Sequence, residues 1–344
     1  MLGTIRGGKP KFTGSMTALI TPFDDGQLDL NSFKKIVNTQ ISNGTDGLVP
    51  VGTTGESPTL SHEEHERVVE ICIEVNSGRV PIIAGAGSNS TSEACKLASH
   101  AGKSGADAVL VVTPYYNKPT QAGLYSHFMS VADAAKVPLI VYDIPGRSII
   151  PVNDETLVRL CENHELISGI KDATADISRP PRLLKLIGGG FSQLSGEDAT
   201  ALPYLAAGGH GCISVTSNIA SKLLADMHDF WNNGNYKGAF EVHLKLINLH
   251  DAMFCESSPG PVKFAAEKIG LCKSEARLPI VEISDVSKEF VAGETILGNN
   301  SGALFGLLKV NTDDLVSGFA ENDVFQSEAD SILDFSEKNP FGVP

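Results

Sequence analysis

The sequence lacks the paired cysteines of a disulfide framework or a zinc site. Its six cysteines are scattered singly along 344 residues and form no C-x-x-C motif. In a chain of this length, isolated cysteines are typical of reduced thiols. We therefore expect a cytoplasmic protein with no bound metal.

Long apolar runs and an excess of positive charge are also missing. No apolar run approaches the roughly 20 residues of a membrane span. The N-terminal segment has basic residues but not the apolar stretch of a secretory signal. The net charge is −14. Because phosphates would be repelled, we expect neither nucleic acid nor an anionic membrane as a partner.

Eight short runs rich in Val and Ile recur along the chain, as expected of strands buried on both faces. Segments with helical spacing lie between them. In 61–76, for example, Ser61 followed by Glu64 predicts a capping box at a helix start. The eight runs are 15–23, 46–51, 81–86, 108–114, 138–145, 166–171, 193–197 and 211–215.

This alternation of strand and helix, repeated eight times, predicts an α/β fold: a (β/α)8, or TIM, barrel over 14–217. A doubly wound open sheet is the alternative. Residues 218–290 lack strand signals and predict a C-terminal helical appendage. Residues 291–344 carry nine acidic residues against two lysines and have weak periodicity. We interpret them as a poorly ordered acidic tail.

Reactive side chains follow the predicted strands, at the barrel face where catalytic groups collect. A lysine that ends an apolar run is costly to desolvate as a cation, and the simple alternative is a side chain that extends to water. Several polar groups on one face favour a functional role instead. They are Thr53 and Thr54 in "GTTGES", Tyr115 and Tyr116 in "TPYYNKP", Tyr142 and Arg147 in "VYDIPGR", and Lys171 in "SGIKDATAD".

These residue types indicate Schiff-base chemistry. An unprotonated lysine attacks a carbonyl, and the iminium that forms accepts electrons from the neighbouring carbon when that carbon loses a proton. Tyr142, on the strand next to Lys171, can move that proton. Arg147 can hold a carboxylate in a bidentate fork, and the backbone N–H groups of the "GTTGES" turn can hold another. The sequence thus predicts carbon–carbon bond chemistry on a 2-oxo acid.

Together with "GIKDAT" and "GGHGCISV", these motifs resemble the dihydrodipicolinate synthase family from about residue 14 to about residue 290. The resemblance implies condensation of pyruvate with L-aspartate 4-semialdehyde through a covalent pyruvate–lysine imine, without a cofactor. It also implies a homotetramer, a dimer of dimers in which a tyrosine acts across the tight interface. The implied catalytic residues are Lys171, Tyr142, Thr53 and Tyr116, and the implied substrate-binding residues are Thr54, Arg147 and Ile213.

The resemblance further implies an allosteric site at which L-lysine acts as a feedback inhibitor. Its residues would be Ser57, Pro58, His62, His65, Asn89, Glu93 and Tyr115. His62 and His65 could instead suggest a metal pair, but no third ligand is evident.

Two alternatives to the synthase remain open. N-acetylneuraminate lyase shares the barrel and the lysine chemistry, but it lacks the arginine after "DIPG" and the "PYYN" pair. A catalytically impaired homologue is the other alternative, because the segment after residue 290 departs from the family.

Overall fold

The computed structural model describes residues 4–288, so the predicted tail 291–344 lies outside the described residues. Eight parallel strands form one sheet, and a parallel bridge between Leu48 and Ile82 joins its two end strands. The sheet therefore closes into a barrel with helices around it. This confirms the predicted (β/α)8 fold with its C-terminal helices, and it excludes the doubly wound open sheet.

The strands follow the predicted runs closely. A small antiparallel hairpin, formed by Phe23–Asp24 and Gln27–Leu28, is an addition that the sequence did not predict. The barrel strands are β1 (Gly14–Ala18), β4 (Gly47–Val49), β5 (Ile83–Gly85), β6 (Ala108–Val112), β7 (Leu139–Asp143), β8 (Ile167–Asp172), β9 (Ser192–Ser195) and β10 (Gly211–Ser214), and the hairpin is β2 (Phe23–Asp24) and β3 (Gln27–Leu28).

The helices alternate with the strands, and a 3-10 turn covers Ser57–Thr59. The helices are α1 (Leu30–Ser42), α2 (His62–Asn76), α3 (Thr91–Ser104), α4 (Gln121–Ala135), α5 (Pro145–Ser148), α6 (Asp154–Asn163), α7 (Arg179–Leu186), α8 (Ala201–Ala206), α9 (Ser217–Asn232), α10 (Tyr236–Ala252) and α11 (Gly260–Lys268).

Two apolar cores explain why the strands are apolar on both faces. The smaller core fills the barrel interior, where Met16, Ile83, Ile140 and Leu194 are buried. The larger core lies between the outer face of the barrel and the helices. Alternate residues along each strand enter one core or the other, and Tyr142 and Lys171 lie next to the last residues of β7 and β8.

The capping box predicted for α2 is present. The Ser61 hydroxyl accepts a hydrogen bond from Glu64 N at 3.2 Å, and Ser61 N donates to Glu64 Oε2 at 2.9 Å. Two backbone donors at the helix start are thereby satisfied. This fixes where α2 begins, directly after the turn that follows β4.

Helix α9 packs against the first strand of the barrel. The Asn218 side chain donates to Ala18 O at 2.7 Å and accepts from Ile20 N at 3.1 Å. Gln40 Nε2 donates to Asn218 O at 3.1 Å, which ties α9 to α1. The eighth helical position around the barrel is therefore filled by α9. The domain boundary at 217–218 stays a prediction.

All six cysteines are free thiols in the structure. Within residues 4–288, no helix is both long and apolar enough to cross a membrane. The same residues contain no group of three or more His, Cys, Asp or Glu side chains arranged to hold a metal ion.

A buried histidine predicts a pH dependence of stability. Burial lowers the pKa of His127 from 6.5 to about 4, and Thr91 Oγ1 lies 2.9 Å from its Nδ1. Between these two pKa values the unfolded chain binds a proton that the folded chain does not. The free energy of unfolding therefore falls as the pH drops below about 6.5.

We expect His127→Asn, which keeps a hydrogen-bonding group for Thr91 but cannot titrate, to reduce this fall. Between about pH 7.5 and about pH 5, the free energy of unfolding of wild type should fall by roughly 2 kcal/mol more than that of the variant. Urea unfolding at both pH values measures the difference. An equal loss in the two proteins would contradict the assignment.

Candidate active site

The two central side chains are set by the register of adjacent strands. Tyr142 on β7 is paired with Lys171 on β8. The Lys171 ammonium lies 4.3 Å from the centroid of the Tyr142 ring, and both residues are only 5% exposed. Neighbouring strands thus place an amine and a phenol together in a site largely shielded from water.

Gly196, directly after β9, leaves space for the side chain of Lys171. A Cβ at Gly196 would lie 3.2 Å from Lys171 Cε and 2.7 Å from Ala173 Cβ, so a side chain there would press on the lysine stem. The next residue, Glu197, is half-buried. Burial raises the pKa of its carboxyl group, and the positive charges of Lys171 and Arg147 oppose that rise. Glu197 is thus an acidic neighbour of the lysine.

A buried cluster of charges lies behind these strand ends. Asp143 and Asp172 directly follow Tyr142 and Lys171, so their side chains point to the outer face. Arg179, near the start of α7, donates to Asp143 Oδ2 at 2.7 Å and lies 3.6 Å from Asp172 Oδ1. The guanidinium therefore bridges the two strands that carry the amine and the phenol.

The arginine also reaches the loop beyond β7. Arg179 donates to Val152 O at 2.6 Å and to Asp154 Oδ1 at 3.0 Å. Burial raises the pKa of Asp143, and the Arg179 charge opposes that rise. Sequence analysis missed Arg179. The signal available was an aspartate directly after each of Tyr142 and Lys171, which leaves two outward carboxylates that need a cation.

The threonine turn has a constrained backbone. Val51 and Glu56, on either side of Thr53 and Thr54, have φ values of 48° and 54°. Positive φ is unfavourable for residues with a Cβ, most of all for β-branched valine, so the surroundings must hold this turn. Hydrogen bonds contribute: Thr21 Oγ1 donates to Gly55 O at 2.7 Å.

A cavity of about 390 Å³ opens at this face of the barrel. It is lined by two of the predicted catalytic residues, Thr53 and Tyr142, and by most of the predicted lysine site, which sequence analysis kept separate. Thr54, Lys171 and Ile213 are buried and lie outside its lining. The predicted residues that line it are Thr53, Ser57, Pro58, His62, His65, Glu93, Tyr115, Tyr142 and Arg147.

The predicted lysine site contains one well-defined carboxylate. Glu93 Oε2 accepts one hydrogen bond from the Ser88 hydroxyl, and Glu93 Oε1 lies 2.7 Å from His62 Nε2. The bonds from Ser88 and then His62 lower the pKa of Glu93, so it is an anion at neutral pH. Burial lowers the pKa of His65 to about 4, which keeps that imidazole neutral. Asn89, outside the lining, accepts from Asn117 Nδ2 through its carbonyl at 2.8 Å.

Tyr116 is not brought to Lys171 within one chain. It is 87% exposed, with φ of 72°, whereas the neighbouring Tyr115 is half-buried. Arg147 is exposed on the short helix α5, which begins at Pro145. An exposed arginine at the rim remains free to meet an anion that enters the cavity.

A family model described as "Dihydrodipicolinate synthetase family" matches residues 11–294. The chain belongs to this family. It is 55% identical over 280 residues to a 4-hydroxy-tetrahydrodipicolinate synthase of Bradyrhizobium diazoefficiens. The aligned residues cover 81% of this chain and 94% of that protein. The sequence-based recognition is therefore confirmed.

Solved structures of the dihydrodipicolinate synthetase family superpose on the chain. One is dihydrodipicolinate synthase from Acinetobacter baumannii complexed with pyruvate, with 44% identity, a TM-score of 0.79, and coverage of 82% of this chain and 97% of that one. Another is the enzyme from Cyanidioschyzon merolae with lysine bound, with 34% identity, a TM-score of 0.80, and coverage of 82% and 97%.

The buried arginine gives a stability prediction with a control on the same helix. Arg179→Met leaves Asp143 and Asp172 buried without their cation, so we expect a loss of about 3–5 kcal/mol in the free energy of unfolding. Arg182→Met removes a half-exposed cation that also contacts Asp154, and should cost less than about 1 kcal/mol. Denaturant unfolding compares the two variants, and equal losses would contradict the role given to Arg179.

Proposed function

We propose that this protein is a 4-hydroxy-tetrahydrodipicolinate synthase that condenses pyruvate with L-aspartate 4-semialdehyde. The observation that carries the proposal is the buried pair of Lys171 and Tyr142 on adjacent strands. Membership of the family, and curated relatives of that name at about 55% identity, support the same activity. No bound cofactor is needed, since the lysine itself supplies the electron sink.

The chemistry begins at the lysine. The unprotonated amine of Lys171 attacks the C2 carbonyl of pyruvate, and loss of water gives the imine. The methyl carbon then loses a proton to give an enamine, with Tyr142 as the group that moves the proton. The enamine carbon attacks the aldehyde carbon of the second substrate and forms the new C–C bond. The amino group of that substrate displaces Lys171 from the imine carbon, which closes the ring and frees the enzyme.

Other groups at the barrel face hold the substrates. We assign the pyruvate carboxylate to the backbone of Thr54 and the pyruvate pocket to Ile213, and we assign the semialdehyde carboxylate to Arg147. Thr53 extends the proton relay from Tyr142. Tyr116 completes it from a neighbouring subunit, which agrees with its exposure in the single chain. This assignment requires at least a dimer, and the resemblance to the family implies a homotetramer built as a dimer of dimers.

The proposal predicts a substrate preference. Purified protein should consume pyruvate with L-aspartate 4-semialdehyde in a coupled assay and leave N-acetylneuraminate uncleaved. Tyr142→Phe should lower kcat by about 10²–10⁴-fold, because it removes the proton-transfer group and leaves the ring. Cleavage of N-acetylneuraminate would favour the lyase alternative. Inactivity toward both substrates would favour the impaired homologue.

We further propose that L-lysine inhibits the enzyme from the cavity side that carries Glu93. The carboxylate of Glu93, held by Ser88 and His62, is suited to the ammonium group of an amino acid. Tyr115 and Pro58 line the same space. The related enzyme from Cyanidioschyzon merolae is described with lysine bound, and this supports the assignment.

The inhibition can be tested with two matched variants. L-lysine should inhibit wild type, and Glu93→Gln should raise the half-inhibitory concentration at least about tenfold, because a charge-assisted bond is lost. Glu70→Gln is the control: Glu70 also faces a histidine, His100 at 3.2 Å, but does not line the cavity. A wild-type response that stays flat to millimolar lysine would contradict the proposal.

A further inference from the structure

The carboxylate next to the threonine turn is buried, although it has no assigned role in the reaction. Glu56, the last residue of the turn, is 3% exposed. Its Oε2 accepts a hydrogen bond from Arg277 N at 2.9 Å. Its Oε1 forms an ion pair with Nζ of Lys263, a residue of α11 that is completely buried. A side chain in the C-terminal helices thus meets the turn that carries Thr53.

The partners of Lys263 hold its ammonium in one place. Lys263 Nζ donates to Glu275 O at 2.6 Å and lies 4.1 Å from the centroid of the Phe23 ring. Burial lowers the pKa of Lys263, and the Glu56 carboxylate opposes that change. A buried ion pair contributes little net stability compared with well-packed apolar groups, so stability alone is a weak reason for its presence.

Backbone hydrogen bonds connect Glu56 to the catalytic side of the turn. Glu56 N donates to Thr53 O at 3.1 Å, and Glu56 O accepts from Thr59 N at 3.0 Å. The φ of 54° at Glu56 is unfavourable for a residue with a Cβ and must be held by its contacts. A displacement of the Glu56 carboxylate would therefore shift the backbone at Thr53 and Thr54.

We propose that Lys263 is a positioning residue for pyruvate binding, which acts through Glu56 on the turn that carries Thr53 and Thr54. The inference rests on the proposed function, because that function places the pyruvate carboxylate at this turn. It assigns the C-terminal helices a part in forming the active site. Lys263 is distant from the turn in sequence, and the charge pair joins the two.

The first variant is Lys263→Met, which keeps an unbranched side chain and removes the charge. We expect the KM for pyruvate to rise at least about tenfold, because a displaced turn weakens the charge-assisted hydrogen bonds from its backbone to the pyruvate carboxylate. Assays run well below the melting temperature of the variant. Leu246→Ala, which opens a cavity in the apolar core at α10, should lower the melting temperature and leave the KM for pyruvate unchanged.

A double variant separates positioning from stability. Glu56→Gln with Lys263→Met removes the uncompensated carboxylate, so the melting temperature should recover relative to Lys263→Met. The KM for pyruvate should stay high, because neither residue then holds the turn. A wild-type KM in the double variant would overturn the proposal.

The wild-type assay identifies which claim fails. Wild type that does not turn over pyruvate overturns the proposed function, and this inference with it. Active wild type together with an unchanged KM in Lys263→Met overturns this inference alone.

Discussion

The bridge that Arg179 makes between Asp143 and Asp172 is the constraint on which the site depends. Side chains alternate between the two faces of a strand. When one cross-strand pair is held outside the barrel, the preceding pair on the same two strands must therefore point inside. Here the inside pair is Tyr142 and Lys171. A slip of one strand by one residue would separate the amine from the phenol and would also move a carboxylate away from the guanidinium.

Separate parts of the chain are brought to this pair by polar contacts of the same kind. Asn218 ties α9 to β1, and Lys263 meets Glu56 at the threonine turn. Each contact is buried, and each joins residues far apart in sequence. An unmatched charge in such a place is costly, so these contacts select one arrangement of the loops at the barrel face. The apolar cores provide the driving force for folding, and the polar contacts determine where the reactive groups lie.

Much of the architecture could be predicted because its causes are local. The predicted runs 138–145 and 166–171 end within two residues of the ends of β7 and β8, and the capping box at Ser61 marks the start of α2. Strands and helices were therefore recognisable from short windows. The residues at the strand ends also indicated Schiff-base chemistry. The contacts of Arg179 and Lys263 were not predictable in this way, because each pairs with carboxylates that only the closed barrel brings near. The β2–β3 hairpin was missed because two-residue strands leave no periodic signal.

The central claim is that Lys171 carries the substrate as an imine. Incubation of the protein with pyruvate and borohydride, followed by proteolysis and mass spectrometry, tests it most directly. The account predicts one reduced pyruvate adduct, on the peptide that contains Lys171, and none on Lys171→Arg. An adduct on a different lysine, or no adduct on wild type, would contradict it.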